Sequence, residues 1–285
     1  MKERHLEMLF EMFIHDNKNV MYEGLVVNNK NHTISLTDEH NKGVDFSLEN
    51  SPIEYKLNGI DVISIFKRTP LKAYEKDVDG NPFIYALKGE RNWKFDMPET
   101  DVIKYMKRFL QACNKIKNRY DTIITVPSQS WINKRFMDVI AEQVKAKYKI
   151  TDYFGKCDLD VAYNSIDEEE IRRYAKMINP RNPESEVISI WNRFEYCFGK
   201  MEKAHKKFFT AKLVDKDLLR FVKNPISTKT SNMAECAEYF NDKDVLILDD
   251  ILASGTTLSF CAQNILDTYS PKSVTAITLL SKKFN

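Results

Sequence analysis

The chain has 285 residues, 43% of them hydrophobic and 12% aromatic, enough to bury a core in one large domain or two modest ones. Its 43 Lys and Arg against 41 Asp and Glu leave a formal charge of +2, so composition gives no bulk electrostatic case for nucleic acid. No apolar run approaches the ~20 residues of a membrane span. The start Met1-Lys-Glu-Arg-His-Leu-Glu7 is too charged for a signal peptide, and the five cysteines include no C-x-x-C pair. A reduced, cytoplasmic protein without a structural zinc site is expected.

In chain order, residues 1–20 read as a short helix, with Leu6, Met8, Leu9, Met12 and Phe13 apolar. Gly24–Val27 and Thr33–Leu36, separated by the turn formers Asn28-Asn-Lys-Asn31, signal a hairpin. Gly43–Leu48 alternates as a third strand would. Phe83–Leu87 reads as the return strand of another hairpin around Asp77-Val-Asp-Gly-Asn81. That fragment lacks the distal Glu and flanking helices of an EF-hand, so it reads as a turn. Residues 1–95 are thus expected to be a β-rich region, appended to the core or packed on it. Val102, Ile103, Met106, Phe109, Leu110, Cys113 and Ile116 then mark a core-packed helix face opposite a basic, solvated one.

Thr122–Val126 reads as a buried strand running into the loop Pro127-Ser-Gln-Ser130. A helix follows, with Ile132, Phe136, Val139, Ile140 and Val144 apolar. Ser128, Gln129 and Ser130 offer donors, and Lys134 and Arg135 charge the first helical turn. An anion cradle and a generic loop are both compatible with that pattern. Ser165-Ile-Asp-Glu168 reads as a capping box before a helix over 166–178. A second helix is expected over 184–209, with Val187, Ile188, Trp191, Phe194 and Phe198 on one stripe, read as core. Together these make a helical insertion over about 158–212. Lys223 to Thr230 is either a flexible loop presenting Lys223 and Lys229 or a plain surface turn.

The most informative stretch is Asp244–Leu258. Val245–Leu248 is short and apolar, as in a strand buried on both faces of a parallel sheet. Asp249 and Asp250 follow at its carboxyl end. A polar loop, Ala253, Ser254, Gly255, Thr256 and Thr257, then opens a helix with Leu258, Ala262, Ile265 and Leu266 at helical spacing. In open α/β sheets, ligands bind beyond the carboxyl ends of the strands. The loop offers free N–H groups at a helix N-terminus, and Gly255 lets backbone close around a phosphate. Two carboxylates beside it suit ribose hydroxyls and a nearby Mg²⁺. A phosphate held by amides and a diol held by carboxylates describe a ribose 5-phosphate. Ser273–Leu280 reads as a closing strand.

Residues 245–257, VLILDDILASGTT, resemble the phosphoribosyl-pyrophosphate (PRPP) motif of the type I phosphoribosyltransferases at every position. The resemblance implies an α/β fold over 96–285, a parallel sheet flanked by helices. It places Asp249 and Asp250 on the ribose as the catalytic acids, and Ala253 to Thr257 around the 5-phosphate. Mg²⁺ would be carried by PRPP, with Asp249 and Asp250 as further ligands. On the same resemblance, the loop of Ser128, Gln129 and Ser130, with Lys134 and Arg135, takes the pyrophosphate position. The helical insertion stands where the family keeps its mobile loop, as a lid would. Val126-Pro127 and Lys134-Arg135-Phe136 are similar to the ComF-like branch, over roughly 84–150 and 213–285, without that branch's cysteine zinc module. The implied reaction is transfer from PRPP to a nitrogenous, nucleobase-like small molecule, with release of pyrophosphate. The rival readings are a non-catalytic PRPP- or nucleotide-sensing module and a ComF-like protein associated with nucleic acid. A homodimer is an open assembly state, and no membrane association is expected.

Overall fold

A computed structural model describes residues 24–37, 44–45, 52–68, 81–96, 120–127, 131–223, 225–228, 233–252 and 255–282. The helices expected within 1–20 and 100–116, and the turn at Asp77, lie outside these residues. The chain divides into two compact units, Met1–Thr151 with Asn232–Asn285, and Asp152–Ser231.

In chain order, β1 (Gly24–Asn28) and β2 (Thr33–Thr37) form the expected antiparallel hairpin, with Gly24 opposite Thr37. Next come β3 (Val44–Asp45), β4 (Ile53–Leu57), β5 (Ile60–Arg68), α1 (Asn81–Lys88) and β6 (Lys94–Phe95). β7 (Thr122–Thr125), α2 (Trp131–Val144) and β8 (Tyr148–Ile150) follow. The chain then enters the second unit through β9 (Phe154–Lys156), α3 (Leu159–Asn164), α4 (Glu168–Ile178), α5 (Pro183–Lys203) and β10 (Ile226–Thr228). It returns with α6 (Met233–Phe240), β11 (Asp244–Leu252), α7 (Thr256–Thr268) and β12 (Ser273–Lys282).

Phe83–Leu87 is helix, not the return strand of a hairpin. Pro82 sits in the first turn, where its missing N–H costs nothing, and Gly89 closes the end in the left-handed region at φ +63°. Phe83, Ile84 and Ala86 are buried along one stripe.

The main sheet runs in the order β3-β5-β12-β11-β7-β8, with β4 also on β5. β5, β12, β11, β7 and β8 are mutually parallel, whereas β3 and β4 run antiparallel to β5. β3 lies within the strand expected at 43–48 and pairs with β5. β11 is central, and Val245 to Leu248 are 0% exposed, as the apolar run predicts. Leu246 and Leu248 face α1 and α2, in one core with Ile63, Ile123, Phe83 and Phe136. On the opposite face α7 buries Leu258, Cys261 and Ile265, although Leu266 stays 45% exposed. The result is a mixed α/β layer structure around a largely parallel sheet.

The second unit closes on an antiparallel pair, Phe154 opposite Thr228 and Lys156 opposite Ile226, so its two ends emerge side by side. α4 and α5 pack around their own core of Ile171, Val187, Phe194, Phe198 and Phe221. Ser165 is not the cap of α4. Asp167 accepts from the Glu170 N–H, while Ser165 Oγ donates to the Ala162 carbonyl at 2.8 Å. α5 is capped by Asn182, whose side chain accepts from the Ser185 N–H. It stops at Lys203, earlier than its periodicity predicts, where His205 turns left-handed at φ 50°. Ile188, expected on the core stripe, is 60% exposed.

Candidate functional site

β11 continues past Leu248 to Leu252, so Asp249 and Asp250 lie within the strand rather than beyond it. Consecutive strand residues point to opposite faces. Asp250 therefore shares the face of Leu246 and Leu248, and Asp249 lies on the side of α7. The neighbours agree. Asp250 forms an ion pair with Lys88, the last residue of α1, and the two side chains are only 11% and 16% exposed. Asp249 lies beside Cys261 of α7, whose thiol is pushed well up, first by burial and then by that carboxylate. The Asp249 carboxylate also accepts the Asp250 N–H at 2.8 Å. Asp250 is thus buried and paired rather than free beyond the end of the strand.

Lys88 went unread in the sequence, because its partner is a strand far along the chain. Its setting is well defined. After α1 the backbone takes left-handed conformations at Gly89, Arg91 and Asn92. The Arg91 guanidinium lies 4.4 Å from the Tyr85 ring centroid, and Trp93 stacks on His32 at 5.1 Å. A cation at a helix C-terminus is also favoured by the helix dipole.

Gly255 precedes α7 at φ +75°, a conformation that side chains with a Cβ rarely adopt. A Cβ there would stand 2.2 Å from Leu57 Cδ2. Leu57 ends β4, and the next residue, Asn58, donates from Nδ2 to Ser259 Oγ at 3.0 Å. The β4–β5 turn thus abuts the first turn of α7, a neighbour the sequence reading did not foresee. Thr256 and Thr257 are half-buried in that turn, and Ala253 and Ser254 lie outside the described residues.

At the neighbouring strand, the Val126 N–H donates to the Leu248 carbonyl at 3.0 Å, which keeps β7 and β11 in step up to the loop. Ser128, Gln129 and Ser130 lie outside the described residues. Lys134 is exposed in the first turn of α2, and the side chain of Arg135 is not among those described. Asn133 beside them is 2% exposed, and among the described residues neither its Nδ2 nor its Oδ1 has a hydrogen-bond partner. Lys223 is engaged within the second unit, its Nζ 2.9 Å from Asp167 Oδ2, and Lys229 lies outside the described residues.

A polar row crosses the sheet from Asp249. In register, Asp249 stands opposite Thr278, and Thr278 opposite Ser64. Thr278 Oγ1 donates to Ser64 Oγ at 3.2 Å, and Ser64 Oγ donates to the Phe66 carbonyl at 2.9 Å. Tyr55 of β4 borders the row. Burial pushes its phenol up to about 12, and hydrogen bonding with Ser281 and Thr278 draws it partly back.

Among the described residues no cluster of three or more His, Cys, Asp or Glu is placed to hold a metal ion. No helix among them is long and apolar enough to cross a membrane. Residues 206–283 match the family model described as the phosphoribosyl transferase domain. That match takes in β11, Gly255, α7 and all of β12, so the acid pair and the helix opening lie within the matched segment. No curated protein matches the chain.

Proposed function

We propose that the protein is a Mg²⁺-dependent phosphoribosyltransferase that moves the phosphoribosyl group of PRPP to a nitrogenous, nucleobase-like acceptor. The reaction breaks the bond from the anomeric carbon to pyrophosphate and forms one to the acceptor nitrogen. The observation that carries this reading is the juxtaposition, inside the matched segment, of the acids of β11 with a left-handed glycine opening α7. The first-turn amides of α7, at Thr256 and Thr257, have no intrahelical acceptor and suit the 5-phosphate. Asp249 accepts a hydrogen bond from a ribose hydroxyl. Lys134 and Arg135 place positive charge beside the departing pyrophosphate. Mg²⁺ fits this donor set, because its sites commonly combine one or two carboxylates with substrate phosphates and several waters. Bound there, it would neutralise charge on the leaving group.

The test is a screen of nucleobases and related heterocycles for PRPP-dependent pyrophosphate release, with Asp249→Asn as control. Turnover with one acceptor, lost in Asp249→Asn, is expected. Wild-type affinity for PRPP in that variant would remove the ribose assignment. Asp250→Asn is a poorer control, since stripping the partner from a mostly buried ammonium costs about 3–5 kcal/mol and mixes stability with binding.

The Lys88–Asp250 pair also favours a second reading, a non-catalytic PRPP or nucleotide sensor. A carboxylate already held by an ammonium is fixed in place, as a recognition group needs to be. Binding of PRPP without turnover on any acceptor would select it.

A further inference from the structure

A nearly buried carboxylate needs a positive charge beside it, since an uncompensated one is costly out of water. At Asp250 the chain supplies that charge itself, as the Lys88 ammonium. Lys88 lies outside the segment matched by the family model, residues 206–283. Its place is fixed by α1, which buries Phe83, Ile84 and Ala86 in one core with Leu246 and Leu248 of β11. Just past Lys88 the Gly89 N–H donates to the Ala86 carbonyl at 3.2 Å. The Glu90 N–H donates to the Tyr85 carbonyl at 2.8 Å, which closes the helix end. Withdrawing the ammonium would leave a nearly buried acid unpaired.

We infer that Lys88 is the resident cation of the acid pair: its ammonium holds the place on Asp250 that a divalent ion would take. Two cations on one carboxylate repel strongly where little water screens them. Mg²⁺ keeps several waters when it binds, and a carboxylate 11% exposed has little room for them. Nor can the two acids chelate one ion between them, since they point to opposite faces of β11. Lys88 is thus a positioning residue that holds Asp250 in place and free of metal. Resting on the PRPP reading above, this makes the site take its divalent ion only with the substrate's phosphates.

The test is binding of Mn²⁺, used as the probe for Mg²⁺, to the full chain by electron paramagnetic resonance, with no PRPP present. Wild type and Lys88→Arg, which keeps the charge, are expected to bind no Mn²⁺ that depends on Asp250. Lys88→Met, which keeps the bulk of the stem and removes the charge, is expected to bind Mn²⁺ at least about tenfold more tightly than wild type. Lys88→Met combined with Asp250→Asn is expected to lose that gain. Added Mn²⁺ should also raise the melting temperature of Lys88→Met, a shift absent in wild type. A merely structural lysine would weaken the fold of Lys88→Met without creating a metal site, and that result overturns the inference. Wild-type Mn²⁺ binding that disappears in the double variant, where neither charge is left unpaired, overturns it too. That comparison is readable even where Lys88→Met alone does not fold. All these readings are made without PRPP, so they stand or fall apart from the proposed transfer reaction.

Discussion

Gly255 combines two constraints at one backbone position: a left-handed φ and a close approach by Leu57. The first is the stronger. Leu57 meets the site with its terminal methyls, which can turn aside, whereas φ +75° cannot relax without moving the start of α7. Gly255→Ala should therefore lose about 1–2 kcal/mol, the cost of a left-handed residue with a Cβ. Adding Leu57→Ala should restore little of it. Urea unfolding decides, and full restoration by Leu57→Ala would assign the cost to crowding instead. Gly255 and the acids were legible in the sequence, because a buried strand, a carboxylate pair and a glycine loop follow one another within a few residues. That the acids take opposite faces was not drawn out, since the strand was ended at Leu248. Strand alternation carried through Leu252 separates Asp249 from Asp250. Lys88 had no local signal at all, because its pairing exists only once α1 lies on the sheet.

Most elements that form the main sheet and its helices were readable from apolar periodicity, as β7, α2, β11, α7 and β12 demonstrate. Two misreadings have identifiable causes. At Phe83–Leu87 the run of apolar residues was weighed over Pro82 and Gly89, which together mark a helix start and stop. The β4–β5 hairpin was passed over although Asn58-Gly59 is a strong two-residue turn signal. Both residues adopt positive φ, at 47° and 85°, as a type I′ turn requires. That hairpin carries Tyr55, which supplies a pH dependence. A free tyrosine ionises near 10, and Tyr55 in the fold at about 12. Between those values the unfolded chain loses the proton first, so the contribution of Tyr55 is fully present below pH 10 and is lost as pH rises toward 12. Tyr55→Phe should flatten this alkaline limb while leaving the neutral-pH profile level. Stability measured across pH 8 to 12 for both proteins checks it. Parallel alkaline limbs would mean that the phenol titrates normally.

At the scale of the whole molecule, the helical character of the excursion was legible but its extent was not. The helices gave 158–212, whereas the compact unit runs from Asp152 to Ser231. The difference lies in β9 and β10, three residues each, which pair across the length of the insertion. Strands so short and so far apart leave no periodic trace. The pairing does have a physical consequence, since it brings the ends of the unit together, as an inserted domain requires. Inside it, Phe194 is fully buried with ring neighbours Trp191 at 6.0 Å, Phe198 at 6.3 Å and Phe221 at 6.5 Å. Arg193 meanwhile ties α5 to Asp215 and Asp217 at 2.9 and 2.8 Å. A core of its own and adjacent ends predict that residues 152–231, expressed alone, fold cooperatively. A stability of about 4 kcal/mol or more is expected, from the ~0.05 kcal/mol per residue at the lower end for native domains. Phe194→Ala in the same fragment should remove about 3–5 kcal/mol, enough to unfold most of it. Circular dichroism with urea titration reads both. A fragment that is unfolded in buffer, or whose helical signal decays without a transition, would mean that this unit draws its stability from the rest of the chain.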